Sequence, residues 1–294
     1  MGKTLLFGGS GFFGPVILLK DSNIISVGRN KPPIECKNQH IQIDDLNQLN
    51  KLDNIDFDKV IFLIGSSNHH QINLKDNMGI DLNVYPLNIA LSYFAKRRIK
   101  KFMCFTTILL YNQEKFQLPV NEEQEINPYV NKYIFSKFLS EQIVNFFAGS
   151  VPSIIVRLSN IYGYTRLRRP DLIPTIMQDI FEKQKVKIWS NKPKRDFIFT
   201  EDAADAVLKL IETDFVGTIN LGTGKMSSLE EICNIIEGFS GKKVISENKD
   251  VTGPMEFVTD ISKLQKLTNW KPKHDIYSGL KKTFDIMSGY HKEN

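Results

Sequence analysis

Residues 3–14, Lys-Thr-Leu-Leu-Phe-Gly-Gly-Ser-Gly-Phe-Phe-Gly, limit what this chain can fold into more than any other stretch. A short apolar run, Thr4 to Phe7, breaks into glycines at 8, 9, 11 and 14, and the chain then turns apolar again. That order predicts a strand, a tight turn and the start of a helix within the first twenty residues. Gly8, Gly11 and Gly14 divide three tasks: making the turn, letting a phosphate approach bare backbone, and letting helix and strand pack closely. An anion is favoured at such a helix start, where backbone N–H groups lack partners. The spacing Gly8-x-x-Gly11-x-x-Gly14 is looser than the general dinucleotide fingerprint, so the turn alone does not decide the ligand.

The following segments supply the context. Asn23–Val27 reads as a second strand, with a helix over Phe12–Leu19 before it and Gly28-Arg29-Asn30 at its tip. Ile41–Ile43 is a third, closed by Asp44-Asp45-Leu46, and Val60–Ile64 a fourth, apolar throughout as a strand buried on both faces should be. A long helix is predicted over Asp76–Arg98, then a fifth strand over Lys101–Thr107. Strands alternating with helices predict an α/β fold with a doubly wound parallel sheet of the Rossmann type. Ligands in such sheets bind at the carboxyl ends of the strands. Gly8, Arg29, Gly65 and Thr107 all fall there, which points four turns at one crevice. At the tip of the second strand an acid suits a free ribose 2′-hydroxyl and an arginine suits a 2′-phosphate. The chain offers Arg29 and no acid, which favours NADP over NAD.

Asn127-Pro128 precedes a helix predicted over Tyr129–Phe147, in which Tyr133 and Lys137 stand four apart on one face. An ammonium beside a phenol favours the phenolate, a proton donor and acceptor in the making. Thr107, at the end of the fifth strand, adds a hydroxyl to hold a substrate oxygen. Composition excludes little else. At 294 residues, 41% hydrophobic and 24% charged, the sequence is that of an ordinary soluble protein, and its net charge of +5 is scattered, a poor basis for binding nucleic acid. Cys36, Cys104 and Cys233 lie far apart, so neither a metal nor a disulfide is expected. No signal peptide and no membrane-length apolar run are read, and a cytoplasmic location is expected.

With these motifs in order, the sequence resembles the extended short-chain dehydrogenase/reductases, the NAD(P)-dependent epimerase/dehydratase group that modifies nucleotide sugars. The resemblance runs from Gly8–Gly14 through Asp45-Leu46, Asn83-Val84, Phe105–Tyr111 and Tyr133-x-x-Ser136-Lys137-x-x-x-Glu141. It continues with Arg157-Leu-Ser-Asn160-Ile-Tyr162-Gly163, Lys194-Arg195-Asp196-Phe197-Ile198, Asp202-Ala203-Ala204, Asn220-Leu-Gly222-Thr-Gly224 and Asn269-Trp270-Lys271-Pro272. It implies Tyr133 as acid/base, Lys137 as its modulator and Thr107 as the hydroxyl partner. It implies cofactor contacts at Gly8, Ser10, Gly11, Phe12, Phe13 and Gly14, at Arg29 and Asn30, at Asp45 and Leu46 on the adenine edge, and at Ile64, Gly65 and Ser66. Substrate contacts fall to Ser67, Thr107, Asn160 and Arg195, the last gripping a nucleotide diphosphate. It further implies a dinucleotide-binding domain over 1–159 with returns to the sheet near 196–222, a smaller substrate-binding part over 160–294, and a homodimer.

Departures from the pattern narrow the chemistry. Ile108 and Leu109 stand where 4,6-dehydratases carry an acidic pair. Cys104 reads as core, and His69-His70 as loop histidines without a role. Redox at one carbon remains. The expected activity is therefore NADP-dependent reduction of a 4-keto-6-deoxy nucleotide sugar. An NAD-dependent C4 epimerase with the same three residues is the alternative, and a non-catalytic dinucleotide-binding scaffold is a third reading.

Overall fold

A computed structural model describes the chain except Met1, Arg166, Arg168, Thr252 and Asn294, with the last residues, 290–293, described as backbone only. The strands β1 (Lys3–Phe7), β2 (Ile25–Gly28), β3 (His40–Gln42), β4 (Phe57–Phe62), β5 (Lys101–Thr107) and β6 (Ser153–Leu158) join with Gly217–Leu221 in one sheet. The order is Gly217–Leu221, β6, β5, β4, β1, β2, β3, and every pairing is parallel. Chain order reverses between β1 and β4, so the crevice above those two strands is where such a sheet holds a ligand. The Rossmann-type architecture expected from the sequence is the one observed.

The pleat explains why these strands read as continuous apolar runs. Leu6, Ile61, Met103 and Ile154 point to one face, where they meet α1 (Gly14–Lys20) and α6 (Thr200–Leu210). Their neighbours Leu5, Phe7, Val60, Phe62, Phe102 and Ile155 point to the other, against α3 (Tyr85–Phe94) and α4 (Lys132–Phe146). Both faces are covered, so alternation between polar and apolar residues disappears. A separate core joins Tyr162 and Phe199 to α5 (Leu172–Glu182), α7 (Leu229–Ser240) and α9 (Ile276–Glu293). The helix α8 (Ser262–Thr268) returns to the main sheet through buried Leu264.

Several element boundaries differ from the sequence reading. The helix predicted over 76–98 is interrupted. A π-type turn at Ile80–Val84 feeds α3, which carries proline in its first turn and ends at Phe94. The helix predicted over 129–147 begins at Lys132, because the Asn131 side chain accepts from the backbone N–H of Ile134 at 2.9 Å and caps it. His69 and His70 are not loop residues. They open the short helix α2 (His69–Leu74), capped by Asn68.

Candidate active site

The carboxyl edge of the sheet gathers the glycine turn, the β4 loop, the end of β5 and the face of α4. Gly8 has φ +89°, which only glycine adopts without strain, and its carbonyl accepts from Gly11 at 3.0 Å. A Cβ on Gly14 would lie 2.3 Å from that same carbonyl oxygen, whereas one on Gly11 would meet only that atom, at 3.3 Å. Close packing therefore depends most on Gly14, while a Cβ on Gly11 would be crowded by the Gly8 carbonyl alone. The residue that caps α1, Phe13, offers no side-chain bond to the helix start. Phe13 packs edge-on against Phe105, Ser10 lies half-buried, and Phe12 lies under the Arg169 guanidinium at 4.2 Å. A turn left open on its ligand side and closed behind fits a dinucleotide pyrophosphate.

Further along the edge, Arg29 and Asn30 are exposed just past β2. The Asp45 carboxylate accepts from the N–H of Asn47 at 2.7 Å and caps the turn that begins at Leu46. The loop after β4 carries half-buried Ile64, then Gly65 at φ +154°. A side chain on Gly65 would run into the Asn83 carboxamide at 2.9 Å and lie 3.6 Å from the Lys137 ammonium. Asn83 sits in the π-type turn, accepts from the Ser66 N–H at 2.7 Å and donates to Ser136 at 2.9 Å. That turn thus ties the β4 loop to α4, in keeping with the frequency of π turns at functional sites.

The Thr107 side chain lies close enough to Tyr133 to act on its phenol, so β5 and α4 bring together the pair expected from the sequence. Tyr133 is buried, and burial pushes its phenol up, opposed by the Thr107 side chain. Lys137 places its ammonium 6.0 Å from the Tyr133 ring centre, and burial brings it down to about 8. Cys104 lies in the core of β5 and its thiol is pushed up to about 12 by burial. Beneath this group the Glu141 carboxylate, one turn beyond Lys137, accepts from Thr106 at 2.8 Å and from Arg157 at 3.0 and 2.8 Å. Arg157 in turn lies 4.8 Å from the Tyr111 ring, whose hydroxyl donates to Asn220 at 2.7 Å.

The remaining substrate candidates lie to one side. Asn160 donates to the Asp196 carbonyl at 3.0 Å, and Arg195 donates to the carbonyls of Lys194 and Met255 at 3.0 and 2.8 Å. Asp196 is fully buried and takes hydrogen bonds from Thr223, Gly224 and Thr259, so it fixes the backbone behind both. Three residues at the site escaped the sequence reading. Arg169 donates to Ser67 at 2.9 Å and pairs with Asp171 at 2.6 Å, while His69 stacks on Tyr133. Their signal is spatial: nothing in local spacing ties residues 69, 169 and 171 together.

Residues 4–222 match the family model described as the NAD dependent epimerase/dehydratase family. The chain belongs to that family. Its relatives in the family include a putative UDP-glucose 4-epimerase of Methanocaldococcus jannaschii, 26% identical, with 96% of this chain and 97% of the relative aligned. Among solved structures, a UDP-glucose 4-epimerase of Thermotoga maritima superposes with a TM-score of 0.87 at 19% identity, covering 98% of this chain and 99% of the other. A UDP-glucuronic acid 4-epimerase of Bacillus cereus in complex with NAD gives a TM-score of 0.80 at 21% identity, with 98% and 99% covered. At these identities the superpositions speak for the fold. Among the described residues no helix is long and apolar enough to cross a membrane.

Proposed function

We propose that this family member is a nucleotide-sugar 4-epimerase that works on a retained nicotinamide dinucleotide. The observation that carries the reading is the adjacent Thr107–Tyr133 pair with Lys137 beside it and only Ile108 and Leu109 following, a site equipped for proton transfer at one substrate oxygen. The end-to-end match to a putative 4-epimerase supports the same choice over the 4-ketoreductase preferred from sequence.

The dinucleotide is held in this reading by Gly8, Ser10, Gly11, Phe12, Phe13 and Gly14, by Arg29 and Asn30, by Asp45 and Leu46, and by Ile64, Gly65 and Ser66. Bound there, the nicotinamide would supply reversible hydride acceptance for the sugar's C4 carbon. Tyr133, as phenolate, takes the proton of the C4 hydroxyl and later gives it back to the carbonyl oxygen, so no proton or electron is gained overall. Thr107 orients that oxygen, and the Lys137 cation favours the phenolate. Ser67, Asn160 and Arg195 are assigned to the nucleotide sugar, with residues 160–294 supplying most of the substrate side. The working unit is taken as a homodimer in the cytoplasm.

One observation keeps the reductase as a second reading. Arg29 stands exposed beside Gly28, with no acid there to accept from a ribose hydroxyl, which suits NADPH. Denaturing the purified protein and identifying the released nucleotide separates the two. NAD near one per chain is expected. An empty protein that consumes added NADPH mole for mole with a 4-keto sugar, and loses that preference on Arg29→Ala, contradicts the epimerase.

A further inference from the structure

The Tyr133 ring has a second neighbour that the mechanism above leaves unused. The His69 imidazole lies flat on it, ring centres 4.0 Å apart and planes 13° from parallel. Four residues on, and hence on the same face of α2, the Asn73 carboxamide accepts from the Tyr133 backbone N–H at 3.0 Å. One short helix thus grips both the ring and the main chain of the same tyrosine. The Ser67 carbonyl holds the His69 N–H at 2.9 Å, so the ring is placed from the β4 loop as well.

We propose that His69 is a positioning residue for proton transfer: its ring holds the Tyr133 phenol against Thr107, and its own protonation changes how readily Tyr133 gives up a proton. This rests on Tyr133 being the acid/base of the reaction proposed above. The physical basis is the face of the ring. A neutral imidazole stacks on a phenol and keeps water from it, whereas an imidazolium is a cation over a π-system that grows more negative as the phenol ionises. Protonated His69 therefore makes Tyr133 the stronger acid, and by linkage a phenolate favours protonated His69. The charges facing this ring are the Lys137 ammonium from α4, which opposes protonation, and Asp171 from the segment before α5, which favours it and is itself paired with Arg169. Burial and Lys137 leave His69 below the ordinary histidine value, so the imidazole is neutral at neutral pH.

Two variants and two readouts test this. His69→Phe keeps a ring on Tyr133 without a titrating group, and His69→Ala removes the ring. In the substrate-free protein, the ring-carbon NMR signal of Tyr133, assigned by its loss in Tyr133→Phe, is followed against pH. We expect a step in the wild type at acid pH and none in His69→Phe, both proteins keeping the same melting temperature. With substrate, His69→Ala is expected to lower kcat about tenfold with KM unchanged, and His69→Phe to restore most of it while losing the acid limb of the pH profile. A Tyr133 signal that titrates identically in wild type and His69→Phe overturns the proposal, as does equal kcat in all three proteins. If the wild type converts no nucleotide sugar, the proposed activity fails, and the NMR titration still judges His69.

Discussion

Lys137 carries the sharpest consequence at the scale of single residues. An ammonium brought down to about 8 is still charged at neutral pH and loses its proton just above it. With that charge gone, the phenolate of Tyr133 loses the cation next to it on α4, so kcat/KM is expected to fall as pH rises past about 8. In Lys137→Met the rate should be low and without that limb. Stability runs the other way. An unfolded lysine holds its proton to about 10.4, so between about 8 and that value the unfolded chain binds more protons than the folded one. The wild type should therefore gain stability relative to Lys137→Met as pH rises across that window, measured by denaturant unfolding at several pH values. Lys137, Tyr133 and Thr107 were legible in the sequence because a four-residue spacing and a strand end fix their positions locally. His69 reads in the sequence as a loop residue and instead opens α2 and stacks on Tyr133, a placement not legible in the sequence because its partner is 64 positions away and only packing brings the rings together.

At the scale of elements, α4 and β5 are locked by one buried carboxylate. Glu141 binds Thr106 on β5 and Arg157 on β6, and both charged side chains are almost wholly shielded from water. Breaking such a pair from one side leaves an unpaired buried charge, which costs about 3–5 kcal/mol. Arg157→Met is thus expected to lower unfolding free energy by about that much, and Arg157→Met with Glu141→Leu to recover most of it, as read from urea titrations. Equal stability of the two variants would show that the pair is not what holds α4 to the sheet. The strands were legible to within a few residues because their apolar runs are covered on both faces. The break before α3 was not, because a π turn has no sequence signature apart from the glycine at 79 and the proline at 86 that flank it.

At the scale of the whole molecule, two cores meet at the carboxyl edge of one sheet. The larger sets the glycine turn against β4 and β5, and the smaller brings Arg169 and Asp171 to the same place. Family membership and the parallel sheet were readable from the order of motifs, since many motifs in sequence constrain a fold as no single one does. The choice between epimerase and reductase was not, because both use Thr107, Tyr133 and Lys137, and Arg29 alone pulled the first reading toward NADPH. The measurement that bears most directly on the account is incubation of the purified protein, with no cofactor added, with UDP-glucose and separately with UDP-glucuronic acid, the sugar products being resolved by configuration at C4. One of the two is expected to reach a mixture of both C4 epimers, in wild type but not in Tyr133→Phe, with no net change in cofactor absorbance. Recovery of each sugar unchanged, together with stoichiometric NADPH consumption on a 4-keto-6-deoxy nucleotide sugar, would contradict it.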